Sequence, residues 1–155
     1  MQSREDLETE VEEELAELDV DQPLVAIVMG SESDMETMRK AEKELDDRGI
    51  GSEVRVMSAH RQPDLVAEYS KELANRGFKV VIAGAGLSAA LPGTVAAHTR
   101  LPVIGVPLTS ANSALGGMDA LLSCAQMPPG VPVAAVGHNA ARNAAILAAR
   151  ILGET

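Results

Sequence analysis

The 155-residue chain contains no tryptophan, one tyrosine (Tyr69), one phenylalanine (Phe78) and one cysteine (Cys124). A core without aromatics must be aliphatic, and ligand contacts must come from polar side chains and backbone rather than from ring stacking. Cys124 has no partner for an intrachain disulfide and stands in an apolar stretch, so it is expected to be a small buried hydrophobe rather than a nucleophile. A reducing compartment, the cytoplasm, fits. No apolar run approaches the roughly 20 residues a membrane helix needs, and the acidic N-terminus lacks the charge and apolar pattern of a signal peptide. Basic residues are also few: 13 Lys and Arg stand against 23 Asp and Glu, a formal charge of −10. That excludes the broad basic groove of a nucleic-acid binder and disfavours an anionic membrane surface. A small anionic ligand is still allowed where a few basic groups and backbone N–H groups converge. Arg outnumbers Lys, a balance compatible with a high-salt interior and equally with an ordinary acidic cytosol. The three histidines show no metal-ligand spacing and no second cysteine joins them, so a metal-free site without a cofactor is expected.

Hydrophobic residues make up 46% of the chain, enough for one substantial core. Residues 1–22 are read as an acidic N-terminal helical extension, with Leu7, Val11, Leu15 and Leu18 on one stripe, and residues 23–155 as a single domain. From Pro23 strands and helices alternate. Strands are predicted at 24–29, 53–57, 78–83, 102–106 and 131–136, and helices at 35–48, 63–76, 91–99, 116–124 and 140–152. Asp34 or Ser33 is the expected cap of the first of these helices, and Pro63 opens the second. Strands that are apolar throughout belong to a sheet covered on both faces. The order therefore predicts an α/β fold: three layers around a five-stranded, mostly parallel, doubly wound sheet. Ligands in such folds bind outside the carboxyl ends of the strands.

Four polar or glycine-rich segments fall at that edge: 30-GSESD-34, 58-SAHR-61, 84-GAGLSAALPG-93 and 107-PLTSANSALGG-117. In the first, hydroxyls and a helix N-terminus can hold phosphate, while Asp34 suits ribose hydroxyls or a plain helix cap. It is neither a Walker A loop nor a G-x-G-x-x-G fingerprint, which argues against a dinucleotide. In the second, Arg61 can fork onto a phosphate. His60 can exchange a proton near neutral pH or simply make a structural hydrogen bond. In the third, Gly84 and Gly86 can bring backbone amides close to a ligand or form a tight turn. His98 is expected on a helix surface or interface, and His138 after the last strand, with no catalytic part for either.

Taken together, 29-MGSESD-34, 58-SAHRQP-63, 82-IAGAGLSAALPG-93, 103-VIGVP-107, 116-GGMDALLSCAQMPPGVPVA-134 and 143-NAAILAARIL-152 resemble the catalytic-subunit family of phosphoribosylaminoimidazole carboxylase. This purine-biosynthesis family handles carboxyaminoimidazole ribonucleotide. The similarity runs from about Leu24 to Leu152. It implies a flavodoxin-like fold, a homo-octamer and a small nucleotide substrate. It also implies a functional link to the ATP-dependent synthase that makes N5-carboxyaminoimidazole ribonucleotide. By the same resemblance Ser31, Ser58 and Arg61 would hold phosphate and Asp34 the ribose. His60 would be the catalytic acid–base, and Gly84, Ala85, Gly86 and Leu87 would cover the imidazole and the migrating carboxylate. Arg61 and 126-QMPPG-130 look like the mutase branch rather than the branch that carboxylates aminoimidazole ribonucleotide directly. The chain departs from many mutase-branch members at Ala90, where a histidine commonly precedes Leu-Pro-Gly. Ser88 and Asn112 are the neighbours able to supply a polar contact instead. Direct carboxylation, and a binding module that has lost its chemistry, are the alternative readings.

Overall fold

The computed structural model describes residues 22–154. The expected N-terminal helix falls outside the described residues. Five strands, β1 (Val25–Met29), β2 (Ser52–Val56), β3 (Val80–Gly86), β4 (Val103–Leu108) and β5 (Ala134–Ala135), form one sheet in the order β2-β1-β3-β4-β5. Every neighbouring pair is parallel. Five helices connect and close it: α1 (Met35–Asp47), α2 (Pro63–Glu72), α3 (Ala90–His98), α4 (Met118–Ala125) and α5 (Ala141–Ile151).

All five residues of β1 are buried, and they divide by parity. Val25, Ile27 and Met29 pack with Met38, Ala41 and Leu45 of α1 and with Ala144, Ala145 and Ala148 of α5. Ala26 and Val28 face the other layer, with Val66 of α2, Leu91 and Val95 of α3, and Ala120 and Cys124 of α4. This is the three-layer flavodoxin-like arrangement that uniformly apolar strands require. After β1 the chain crosses to β2 on one side and then returns to β3 on the other. The crevice between the ends of β1 and β3 is the switch point of such a sheet.

Several boundaries differ from the sequence expectation. Gly84, Ala85 and Gly86 are not loop: they continue β3, with Met29 opposite Gly84 and Gly86 opposite Leu108. Glycine is poor in strands unless something else approaches closely. A Cβ on Gly84 would collide with Met38 Sδ, and one on Gly86 would meet the carbonyl oxygen of Leu108 at 3.1 Å. Overpacking a filled core costs about 1–3 kcal/mol. Gly84→Val is therefore expected to lower the urea midpoint by a comparable loss of stability. An unchanged midpoint would mean that Met38 swings aside freely.

β4 runs on through Pro107 to Leu108. The Gly105 carbonyl accepts from Val136, and that of Pro107 from Asn139, on the same side of the strand. β5 has ended by then, so the missing N–H of Pro107 breaks no ladder bond. β5 itself is two residues, not six, because Pro128, Pro129 and Pro132 withhold donors from the segment before it. The helix expected over 63–76 stops at Glu72, with turns to Gly77, whose φ of +90° suits glycine.

The free edge at β2 is latched by Glu53. Its carboxylate accepts from Arg76 at 3.1 and 2.8 Å, from the Tyr69 hydroxyl at 2.7 Å and from Arg55 at 3.1 Å. The Arg76 guanidinium also lies 5.1 Å from the centre of the Phe78 ring. Arg76 above all, helped by Tyr69 and Arg55, holds the Glu53 carboxyl down to about 2, against an ordinary 4.5, despite the opposing effect of burial. A carboxylate depressed in the folded state stabilises the fold above its unfolded pKa and loses that contribution as pH falls through the folded one. Stability should therefore decline between about pH 4.5 and 2. In Glu53→Gln the decline of Tm across that window should be shallower, and equal slopes would refute the latch.

Candidate active site

A cavity of about 670 Å³ opens at the carboxyl edge of the sheet, over the β1/β3 crevice, and four strand-end segments wall it. From the first come Gly30, Ser31, Ser33 and Asp34, and from the second Ser58, Ala59, His60 and Arg61. The third contributes residues 85–91 and the fourth Leu108, Thr109, Ser110 and Asn112.

The first segment leaves β1 at Gly30, whose N–H donates to the Gly84 carbonyl at 3.3 Å. Ser31 is extended and its Oγ accepts from Ser33 N–H at 3.3 Å and from Ser33 Oγ at 3.0 Å. A 3-10 turn at Glu32–Asp34 follows and runs directly into α1. Ser31 is thus the capping residue of that turn. Asp34 and Ser33, the expected caps, do not cap α1: Asp34 occupies the N-cap position with helical φ and ψ and makes no capping bond through its side chain. The Asp34 carboxylate is left available to the cavity. Burial raises its pKa, partly offset by a backbone hydrogen bond with Ser31.

The second segment is a compact turn. Ser58 Oγ accepts from Arg61 N–H at 3.2 Å, and Gln62 N–H donates to the Ser58 carbonyl at 2.8 Å. Pro63 then starts α2, where its missing N–H costs nothing. Arg61 reaches across to the first segment, donating from Nη2 to the Gly30 carbonyl at 3.0 Å. That one bond holds the guanidinium between the two serine-bearing loops, with its other donors available for an anion. His60 is exposed at the cavity wall.

The third segment differs in character. Ala85, Ala89, Ala90 and Leu91, with Leu108 of the fourth segment, add apolar lining beside Ser88, Thr109, Ser110 and Asn112. Leu87 has a φ of +55°. The fourth segment is fixed from beyond β5. Asn139 Oδ1 accepts from Thr109 N–H at 3.0 Å and Nδ2 donates to Thr109 Oγ1 at 2.7 Å. Asn139 has a φ of +57°, a conformation asparagine tolerates better than most.

The structure therefore brings together Ser31, Asp34, Ser58, His60, Arg61, Ala85, Gly86 and Leu87 around one space. Gly84 is a correction: it lies buried one residue below that space, inside β3, because its missing side chain makes room for Met38. Ala90, Ser88 and Asn112 all line the cavity. His98 is elsewhere, its Nδ1 2.8 Å from the Thr94 carbonyl on α3, and His138 Nε2 lies 2.7 Å from the Gly117 carbonyl. Cys124 is fully buried, and burial pushes its thiol up to about 11. Sequence reasoning named Ser33 only as a helix cap, and it did not single out Thr109, Ser110 or the supporting Asn139. The one signal for Asn139 was a left-handed-tolerant residue just after a strand.

No helix among the described residues is long and apolar enough to cross a membrane. The model of the AIR carboxylase family matches residues 24–155. The N5-carboxyaminoimidazole ribonucleotide mutase of Saccharolobus solfataricus is 56% identical over 131 residues, covering 84% of this chain and 82% of that protein. That of Bacillus subtilis is 56% identical over 133 residues, covering 84% and 81%. A crystal structure of Treponema denticola PurE superposes with a TM-score of 0.73 at 37% identity, covering 84% of this chain and 80% of that one. Matched by the family model over residues 24–155 and similar to these proteins over nearly its whole described length, the chain belongs to the AIR carboxylase family.

Proposed function

We propose that this protein is an isomerase of purine biosynthesis that moves a carboxylate from N5 to C4 of an aminoimidazole ribonucleotide. N5-carboxyaminoimidazole ribonucleotide is the substrate and 4-carboxy-5-aminoimidazole ribonucleotide the product. The observation that carries this reading is the meeting of His60 with Ser31, Ser58 and Arg61 on one cavity, in a chain 56% identical to mutases. Ser31, Ser58 and Arg61 bind the phosphate. Asp34 accepts from the ribose hydroxyls. The ends of β3 and α3 lie over the imidazole.

The chemistry needs one mobile proton. Protonated His60 donates to N5 of the carbamate, the N5–carboxylate bond breaks, and CO2 and a neutral amine result. C4 of the electron-rich ring then attacks CO2, forming the new carbon–carbon bond. The tetrahedral C4 gives its proton to His60, and the ring regains aromaticity. The proton lent at N5 is recovered from C4, so the reaction balances without an added acid, base or ATP. Holding CO2 beside C4 makes the recombination effectively intramolecular. Backbone N–H groups of residues 86–88 stabilise the carboxylate charge as it moves.

In the same reading the enzyme works as a homo-octamer in the cytoplasm, downstream of an ATP-dependent synthase that supplies the carbamate. Its acidic, Arg-favouring composition suits a high-salt interior. The test is turnover of synthetic N5-carboxyaminoimidazole ribonucleotide, followed by the absorbance of the C4-carboxylated product, at low and high salt. Aminoimidazole ribonucleotide with bicarbonate runs in parallel, without ATP. Fast conversion of the first with slow use of the second supports the mutase and shows that Ala90 is tolerated. Efficient use of the second alone would make the protein a direct carboxylase, and failure of both would leave a binding module.

A further inference from the structure

One side chain from outside the cavity clasps its fourth segment. Asn139 Oδ1 accepts from Thr109 N–H at 3.0 Å, and Nδ2 donates to Thr109 Oγ1 at 2.7 Å. Asn139 N–H donates to the Pro107 carbonyl at 2.9 Å. The chemistry of Thr109 fixes the orientation of that amide. A backbone N–H can only donate, so the amide oxygen must face it, and the NH2 group must then face the hydroxyl. Thr109 Oγ1 is therefore an acceptor toward Asn139, and its own hydrogen is directed elsewhere. The methyl group has a fixed place as well: a Cβ on Gly117 would meet Thr109 Cγ2 at 2.6 Å, so only glycine leaves it room. Thr109 and Asn139 are both exposed, where water can replace a hydrogen bond, and Asn139 holds a φ of +57° in making these contacts. Such a clasp does little for the fold. What it does decide is which way one cavity-lining hydroxyl can donate.

The sheet places that hydroxyl. Gly86 pairs with Leu108, so Thr109 follows directly beside the turn that leads from β3 to α3. In the order β2-β1-β3-β4-β5, Ser58 and Arg61 follow β2 and Ser31 follows β1. Thr109, at the end of β4, is thus across the cavity from the side chains assigned to phosphate. A ribonucleotide with its phosphate among them presents its base end to the β4 side. No Lys, Arg, His, Asp or Glu of the third or fourth segment is among the described residues that line the cavity. An anionic group at that side therefore depends on neutral donors. We propose that Thr109 donates its hydroxyl hydrogen to the carboxylate carried by the imidazole, and that Asn139 is the positioning residue that keeps that hydrogen free for it. This assignment rests on the mutase reading above.

Calorimetry on the full chain compares two ligands that differ by the carboxylate, 4-carboxy-5-aminoimidazole ribonucleotide and aminoimidazole ribonucleotide. Thr109→Val keeps the shape and removes the hydroxyl. It should weaken the carboxylated ligand about ten- to a hundredfold, as the loss of a hydrogen bond to a charged group does, and leave the other ligand's affinity nearly as it was. Thr109→Ser should recover most of that loss. Asn139→Asp separates orientation from support. Aspartate also tolerates a positive φ, and its carboxylate accepts from both Thr109 N–H and the hydroxyl. The clasp then persists, with little change in Tm, but the hydroxyl hydrogen is drawn away from the ligand. Affinity for the carboxylated ligand should fall as it does in Thr109→Val. The double variant controls for the added charge: in Thr109→Val there is no hydrogen to divert, so Asn139→Asp should cost much less there than in the parent. Parent-like affinity in Asn139→Asp would make Asn139 a mere support, and an equal cost in both backgrounds would be the effect of charge. Either result overturns the proposal, as would equal losses for the two ligands in Thr109→Val. Turnover of N5-carboxyaminoimidazole ribonucleotide by the parent is measured alongside. If the parent converts it, those results leave the mutase standing; a parent that neither converts it nor binds either ligand would overturn both.

Discussion

His60→Asn should lower kcat by about a hundred- to ten-thousandfold, the range general acid–base catalysis supplies, while product affinity changes little. Asparagine keeps the approximate size and a polar edge but cannot carry the proton from C4 back to N5. No other histidine is placed to substitute: His98 and His138 are engaged with backbone carbonyls away from the cavity. Asp34, its pKa raised by burial, lines the same cavity and is the one alternative carrier among the carboxylates there. A double variant with Asp34→Asn separates the two, since residual turnover of His60→Asn that vanishes in the double variant would be Asp34's. Near-normal kcat in His60→Asn alone would refute the acid–base assignment. Product affinity is read by calorimetry on the inactive variant, and its loss along with kcat would place His60 in binding instead.

Arg61→Ala should act on the other kinetic constant. A charged hydrogen bond is worth about 1.5–3 kcal/mol, so KM should rise about ten- to a hundredfold, with kcat falling far less. Phosphate is remote from N5 and C4 and binds equally in ground and transition states, which is the signature of uniform binding. The bond from Arg61 to the Gly30 carbonyl adds a positional component. Because Arg61 is exposed, water can replace the guanidinium there, and Tm should shift little. Arg61→Lys keeps the charge but loses the fork, so it should recover only part of the KM. An equal fall in kcat and kcat/KM for Arg61→Ala, with unchanged KM, would mean that the guanidinium acts on the transition state.

How far these side chains could be recognised beforehand differs from segment to segment. Ser58, His60 and Arg61 are contiguous and follow an apolar strand, so their placement at a sheet edge followed from the strand's position. Ser31 and Asp34 followed in the same way from β1. The caps were less accessible: a serine and an aspartate both favour helix starts, and choosing Ser31 required seeing the 3-10 turn that runs into α1 at Met35. Gly84 was misplaced because glycine-rich sequence ordinarily signals a loop. Whether a glycine bends the chain or makes room for a neighbour depends on that neighbour, and Met38 lies 46 residues earlier in the chain. Asn139 could not be tied to the cavity at all, since its contact with Thr109 spans 30 residues and two elements.

The sequence by itself determined the alternation of strands and helices, the double covering of the sheet and the edge at which the chemistry gathers. Those follow from local periodicity and from the uniform apolarity of the strands, which each segment carries within itself. The tertiary structure decided that Arg61 joins the first two loops through Gly30, and that Gly84 packs while Gly86 and Leu87 face the cavity. Those are properties of distances between segments remote in the chain, set only when parallel strands in the order β2-β1-β3-β4-β5 bring four loops to one edge.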